Sequence, residues 1–212
     1  YNANVESILT LTPFLNKHFL AALIFAIGFG LICYLATRNK YESIVDSDAF
    51  GVVKVLVSIV FVVALYNLFR AEIGNYWHMH YVKTAYTEVF QLYSKPENTL
   101  VFDKNLAMFS AIWQINYTLL FLTILSFINI KWLKNIGLGF AVLTLNGFVL
   151  GIFSIFSLFL ISELRESYLL QTNAEHFVRG IAHISIRYFS LAFAFGLIFA
   201  SYKLYKQEFL QK

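Results

Sequence analysis

The sequence predicts an all-α fold, a polytopic bundle of about five transmembrane helices with two amphipathic connections outside the membrane. Composition is the first observation: 59% of the 212 residues are hydrophobic and only 13% are charged, against roughly 25% charged in ordinary soluble domains. The second is a series of apolar runs of about 20 residues, the length at which a helix spans a bilayer core. The third is that these runs are apolar on all sides, whereas the strands of a membrane barrel alternate over about ten residues.

The predicted spans form one transmembrane domain that covers residues 1–212. They lie at 18–37, 50–70, 107–129, 136–162 and 184–205. The fourth would be about 40 Å long at roughly 1.5 Å per residue, so we expect it to tilt or protrude. The chain starts with Tyr1 and no signal peptide is evident, so we expect a fragment of a longer protein.

Two connections, 71–106 and 163–183, are too long to be simple turns. In the first, apolar and aromatic residues recur at steps of four, which predicts an interfacial or protruding amphipathic helix over 72–93. In the second, basic residues and histidines follow one another at helical spacing. If this segment is helical, one face carries His176, Arg179, His183 and Arg187.

Basic residues near the ends of the spans predict the orientation. They divide equally between the two sides, but those in short segments count for more than those in long loops. We therefore expect Lys131, Lys134 and the C-terminus to be cytoplasmic, and both long connections to be external.

The segment EIGNYWHMHY at 72–81 is the most site-like stretch of the chain. In a helix, however, His78 and His80 point about 200° apart and cannot bind one metal. No third ligand stands at a usable local spacing, so we expect no metal and no cofactor.

Two interpretations of the charged residues remain open. In one, they form a basic flank that pairs with lipid phosphates or with nearby glutamates. In the other, an external pocket holds an anionic group, with a histidine acting beside Glu163 or Glu166 near neutral pH. The candidate catalytic residues are Glu72, His80, Glu163 and His183, and the candidate anion or head-group ligands are Arg179, Arg187 and His176.

Small residues at four-residue spacing predict close helix packing. The pair Gly147 and Gly151 forms a G-x-x-x-G motif, and Ala192 and Gly196 repeat the spacing in the last span. Uncharged polar residues such as Asn116 predict hydrogen bonds between helices. Ionisable residues, the stronger sign of a transport path, are nearly absent from the spans.

Three segments resemble a known family: FLNKHFLAALIFAIGFGLICYLATRN, IWQINYTLLFLTILSFINIKWLKNIGLGFAVLTLN and IRYFSLAFAFGLIFASYKLYKQ. They resemble the C-terminal region of a large polytopic bacterial inner-membrane protein family of unknown function. The resemblance implies a multi-pass protein of the bacterial inner membrane and carries over no catalytic residue. The connection at 163–183 departs from the family's pattern.

Known reaction signatures such as the P-loop, G-x-S-x-G and H-E-x-x-H are absent from the sequence. The pI near 9.1 is explained by residues that flank membrane spans, so no nucleic-acid partner is expected. The predicted partners are membrane lipid and the preceding spans of the full-length chain, and an oligomer is compatible with the sequence. We expect a non-enzymatic part of a transporter-like or envelope-associated assembly. The alternative is a membrane enzyme acting at the external face on a lipid-linked or anionic envelope substrate.

Overall fold

The computed structural model describes residues 16–36, 47–92 and 95–211, without the side chains of 47–50 and 87–99. Five of the described helices are long and apolar enough to cross a membrane. They are Lys17–Ala36, Gly51–Lys83, Lys104–Leu133, Ile136–Leu169 and Ala182–Tyr205. The predicted all-α class is confirmed, with five described helices that could cross a membrane by their length and composition.

The elements follow one another in a simple order along the chain. The helices are α1 Lys17–Ala36, α2 Ser47–Lys83, α3 Lys104–Ile128, α4 Ile136–Ile152, α5 Leu158–Leu169, α6 Ala182–Tyr205 and α7 Glu208–Gln211. Asn129–Leu133 extends α3 as a π-helical turn, and Phe153–Ser157 joins α4 to α5 in the same way. The strands are β1 Tyr86–Leu92 and β2 Lys95–Val101.

The predicted helix over 72–93 is wrong beyond Lys83, where α2 ends. An antiparallel hairpin follows, with Tyr86 opposite Val101 and Leu92 opposite Lys95. The segment YTEVFQL is rich in aromatic and β-branched residues, which favour strands. Its spacing fits a helix and a strand about equally well over so short a length, and tertiary pairing decides. Tyr93, the last residue of the predicted helix, lies outside the described residues.

The helical stripe predicted from His176 to Arg187 is also wrong in its first half. Helix α5 ends at Leu169, and the chain then turns until α6 begins at Ala182. Gln171 and Asn173 adopt positive φ angles of 49° and 55°, a left-handed conformation that interrupts a right-handed helix. Consequently His176 and Arg179 lie in a loop, whereas His183 and Arg187 lie on α6.

The described chain divides into two compact units, Tyr1–Tyr76 and Trp77–Lys212. In the first unit, α1 packs against α2. The Phe19 and Phe69 rings meet edge to face at 6.3 Å, and Cys33 Sγ lies 3.3 Å from Ser58 Oγ. Gly30 lets the two helices approach, since a Cβ there would stand 3.0 Å from the Phe61 ring.

The second unit is a bundle of α3 to α6 with alternating apolar and polar layers. One apolar cluster joins Phe109, Ile112, Ile161, Leu164 and Ile186. The other joins Leu119, Leu122, Val149, Phe153, Ala194 and Leu197. Between them lie Asn116, Ser157 and Ser190, each one helical turn from both clusters and fully buried.

The two ends of this bundle differ in construction. We call them the Arg179 end, where α3 and α6 begin, and the Lys131 end, where the π-helical turn after α3, the end of α6 and α7 meet. At the Lys131 end the side chain of Asn129 donates to the Asn135 carbonyl at 3.1 Å and accepts from the Asn135 N–H at 3.0 Å. This closes the turn between α3 and α4.

The predicted small-residue motifs lie on outward faces of the second unit. Gly147 and Gly151 are exposed, and a Cβ at either would meet no described atom within 4 Å. Ala192 is exposed and Gly196 half-buried. Helix packing through these four residues therefore stays a prediction, and within the bundle the closely packed glycine is Gly139, where a Cβ would stand 2.6 Å from Leu210.

Candidate functional site

A buried ion pair of the second unit joins Asp103 and Arg179. Nη1 of Arg179 lies 2.9 Å from both Oδ1 and Oδ2 of Asp103. Their side chains are only 3% and 7% exposed for Arg179 and Asp103 respectively. Arg179 Nε also donates to the Thr172 carbonyl at 2.8 Å. The guanidinium expected to hold an anion is thus already neutralised by an internal carboxylate.

Asp103 is held in place by the start of α3. Its Oδ1 accepts from the Asn105 N–H at 3.1 Å, which caps the helix. Its own N–H donates to Thr84 Oγ1 at 3.0 Å. Asn105 Nδ2 in turn donates to Ser167 Oγ of α5 at 2.6 Å. Asp103 is not among the residues predicted from the sequence, although an aspartate just before an apolar helix is a recognisable N-cap signal.

His176 occupies a different environment from the one predicted for a head-group ligand. Its ring stacks on Tyr86 at 4.3 Å and lies 3.5 Å from Glu175. The next residue, Phe177, meets Tyr86 edge to face at 5.5 Å and carries the Arg179 guanidinium over its own ring at 5.4 Å. These aromatic contacts tie the loop of Arg179 to the start of the hairpin.

His183 is the buried histidine of this end. Its Nδ1 lies 2.9 Å from the Gly180 carbonyl, an acceptor, so Nδ1 carries the proton and Nε2 is an acceptor. Nε2 is buried and has no hydrogen-bond partner among the described residues. The edge-to-face contact with Phe109 at 5.0 Å fixes the ring.

The two histidines of the segment 72–81 are held apart by aromatic contacts. The half-buried His80 lies at 6.5 Å from the Trp77 ring, whereas the exposed His78 stacks on Tyr81 at 6.4 Å. Trp77 itself stacks on Phe109 at 5.2 Å. Across the described part of the chain, no cluster of three His, Cys, Asp or Glu residues is placed to hold a metal.

The remaining candidates do not join this cluster through any described contact. Glu163 is half-buried and Arg187 exposed, and the described residues give neither a hydrogen bond nor an ion pair. Glu72 belongs to the first unit, where it is buried and accepts from Asn16 Nδ2 at 3.1 Å. Asn16 also caps α1 through the Phe19 N–H at 2.8 Å, so Glu72 secures a helix terminus.

Inside the bundle, two asparagines carry the interhelical hydrogen bonds. Asn116 Nδ2 donates to Ser190 Oγ at 2.9 Å. Asn146 Nδ2 contacts Ser126 Oγ at 3.2 Å and Ser201 Oγ at 2.8 Å. The predicted role of Asn116 in joining helices is confirmed.

Three buried oxygens of these layers have no described partner: Asn116 Oδ1, Asn146 Oδ1 and Ser157 Oγ. Hydroxyls elsewhere in the bundle, such as those of Ser126 and Ser201, donate to the carbonyl four residues earlier. Ser157, the last residue of the π-helical turn, makes no such bond, so its buried hydroxyl has no described partner.

Comparison of the chain with protein-family models, curated proteins and solved structures finds no match. Its function must therefore be inferred from the geometry of its own residues.

Proposed function

We propose that the chain is a non-enzymatic part of a transporter-like or envelope-associated assembly in a bacterial inner membrane. The observation that carries the proposal is the ion pair of Asp103 and Arg179. The charge of Arg179 is compensated within the fold by the Asp103 carboxylate, and its Nε donates to a loop carbonyl, which favours a structural role for this arginine. Glu72 also has a structural contact, because its carboxylate accepts a hydrogen bond from Asn16 at the start of α1.

The interior of the second unit also favours a structural role. The buried side chains of its described spans are apolar or uncharged amides and hydroxyls, with His183 at the very start of α6 as the exception. Ionisable groups within a span are the usual sign of an ion or proton path. An interior of this kind suits a rigid helical scaffold.

Neighbouring transmembrane helices are the proposed partners, from the full-length chain or from another copy. The open G-x-x-x-G face of α4 supports this, since Gly147 and Gly151 leave room for a close backbone approach. Membrane lipid covers the rest of the outer surface.

The test is disulfide cross-linking in native membranes, in a Cys33→Ser background. With a mild oxidant added, we expect Gly147→Cys to form a disulfide-linked dimer, in which the thiols introduced at position 147 of two copies join. Leu145→Cys is the matched control: it is exposed on the same helix but points about 200° away. Absence of any adduct at position 147, with the protein migrating as a lone chain in mild detergent, would overturn the proposal.

The enzyme alternative has one observation in its favour, the unpaired and buried Nε2 of His183. This atom is a base without a hydrogen-bond donor, at the end of the bundle that also carries Glu163. The test is turnover of a lipid-linked substrate in proteoliposomes. If the unmodified chain turns the substrate over, and both His183→Asn and Glu163→Gln lose this activity while keeping the fold, the chain is an enzyme and the scaffold proposal fails.

A further inference from the structure

We infer that the Lys131 end of the second unit is a binding surface for anionic phospholipid head groups. The described charges there are almost all of one sign. Its exposed cations are Lys131, Lys134, Lys203 and Lys206, and the described acidic residue beside them is Glu208.

Three of these lysines have a defined position: one lies in a closed turn and two lie over aromatic rings. Lys134 adopts a left-handed conformation with φ of 48° in the turn that Asn129 closes. Lys203 Nζ lies 5.6 Å from the Phe199 ring centroid, and Lys206 Nζ lies 4.6 Å from that of Tyr202. Cations held over aromatic faces lose less side-chain freedom when they bind an anion.

The two chain segments that carry these lysines meet at one level of the bundle. Gly139, near the start of α4, lies against both Asn129 and Leu210, and Phe127 of α3 lies 6.4 Å from Phe199 of α6. The lysine-bearing turn and the end of α6 are thus parts of one face.

Aromatic residues place this face at the membrane surface. Trp132, Tyr202 and Tyr205 are 76%, 53% and 64% exposed beside the lysines. Tryptophan and tyrosine favour the level of the lipid head groups, where phosphates lie. Phosphate is a hydrogen-bond acceptor for ammonium groups, and an anionic leaflet attracts cations within a Debye length.

Among the described side chains, those of the Arg179 end do not share this one-sided charge. This end carries both signs of charge: the exposed cations Lys83, Lys104, Arg165 and Arg187, and the acidic residues Glu163, Glu166 and Glu175. Asp103 neutralises Arg179 at the same end. The head-group contact predicted from the sequence at Arg187 and His176 is therefore reassigned in this proposal to the opposite end of the bundle.

The test measures the lipid preference of the intact chain in nanodiscs. Electron paramagnetic resonance gives the association of spin-labelled phosphatidylglycerol relative to spin-labelled phosphatidylcholine. We expect the unmodified chain to prefer phosphatidylglycerol, and high salt to reduce the preference. Attraction of one cation to an anionic surface corresponds to about a fivefold gain in binding. In the variant with all four lysines of the Lys131 end changed to glutamine, the association of phosphatidylglycerol relative to phosphatidylcholine should therefore fall close to unity.

The matched control neutralises Lys83, Lys104, Arg165 and Arg187 together, also to glutamine. All are exposed, so both quadruple variants should keep their helical circular dichroism. We expect the control to retain the preference for phosphatidylglycerol, and free inorganic phosphate to compete poorly with the lipid. Three results would overturn the proposal. They are loss of the phosphatidylglycerol preference in the control variant, equal lipid preference in the two variants, and displacement of the lipid by free phosphate.

Discussion

Asp103 and Arg179 form a buried ion pair that links the first residue before α3 to the loop before α6. One guanidinium nitrogen lies 2.9 Å from both carboxylate oxygens, and both side chains are almost fully buried. Because Asp103 also caps α3 and Arg179 also donates to the Thr172 carbonyl, this pair secures the start of α3 and the loop before α6.

Removing one partner of the pair should strongly destabilise the second unit. We expect Arg179→Met to lower the free energy of unfolding by about 3–5 kcal/mol, since it leaves the buried carboxylate without its counter-charge. The measurement is unfolding of the purified chain in mixed detergent micelles. Arg187→Met is the control, because Arg187 is exposed on α6, and a loss of equal size there would contradict the assignment.

The hydrogen bond of Asn116 to Ser190 should stabilise the packing of α3 on α6. Replacing Ser190 by alanine should cost about 0.6–1.7 kcal/mol, the range measured for such bonds within membranes. The double variant Asn116→Leu with Ser190→Ala should cost less than the sum of the single changes, because no buried amide is then left unpaired. A double-variant cycle with strictly additive losses would show that the two side chains do not interact.

Glycines of α4 should respond in opposite directions to a larger side chain. Gly139→Val should cost about 1–3 kcal/mol through overpacking, since a Cβ there would stand 2.6 Å from Leu210 and 3.2 Å from Asn129. Gly147→Ala meets open space within the chain, so in the monomer it should be neutral or stabilising by up to about 1 kcal/mol, because alanine favours the helix. Thermal unfolding of both variants in detergent checks this, and greater sensitivity at position 147 would be inconsistent with the packing.

Two substitutions of Glu72 should show that its acceptor oxygen, and not its charge, holds Asn16 at the start of α1. Glu72→Gln keeps an oxygen to accept from Asn16 Nδ2, so we expect little change in protease resistance at the start of α1. Glu72→Ala removes the acceptor and should increase cleavage near residue 16. Equal protease sensitivity of the two variants would argue against a role in holding Asn16.

The sequence predicts the membrane spans well because lipid imposes a length and an apolar composition on each one. The predicted second and fourth spans end at residues 70 and 162, whereas the observed helices continue into polar residues as far as Lys83 and Leu169. Hydropathy measures the apolar run, whereas the helix ends where its backbone hydrogen bonds end.

The hairpin and the site resist prediction for other physical reasons. Residues 86–92 carry a spacing compatible with both a helix and a strand, and only pairing with Lys95–Val101 decides between them. Asp103 and Arg179 are 76 positions apart in the chain, so no local spacing reveals their contact. The Asn116 bond was predictable in kind, because an amide within a span needs a partner, but Ser190 as that partner was not.

Cysteine labelling across a sealed membrane tests most directly whether the second unit crosses the bilayer with its two ends on opposite sides. In a Cys33→Ser background, Glu175→Cys reports the Arg179 end and Lys134→Cys reports the Lys131 end; both positions are exposed. We expect an impermeant maleimide added to intact cells to label position 175, and to label position 134 only after permeabilisation. Labelling of both positions in intact cells would contradict the transmembrane arrangement.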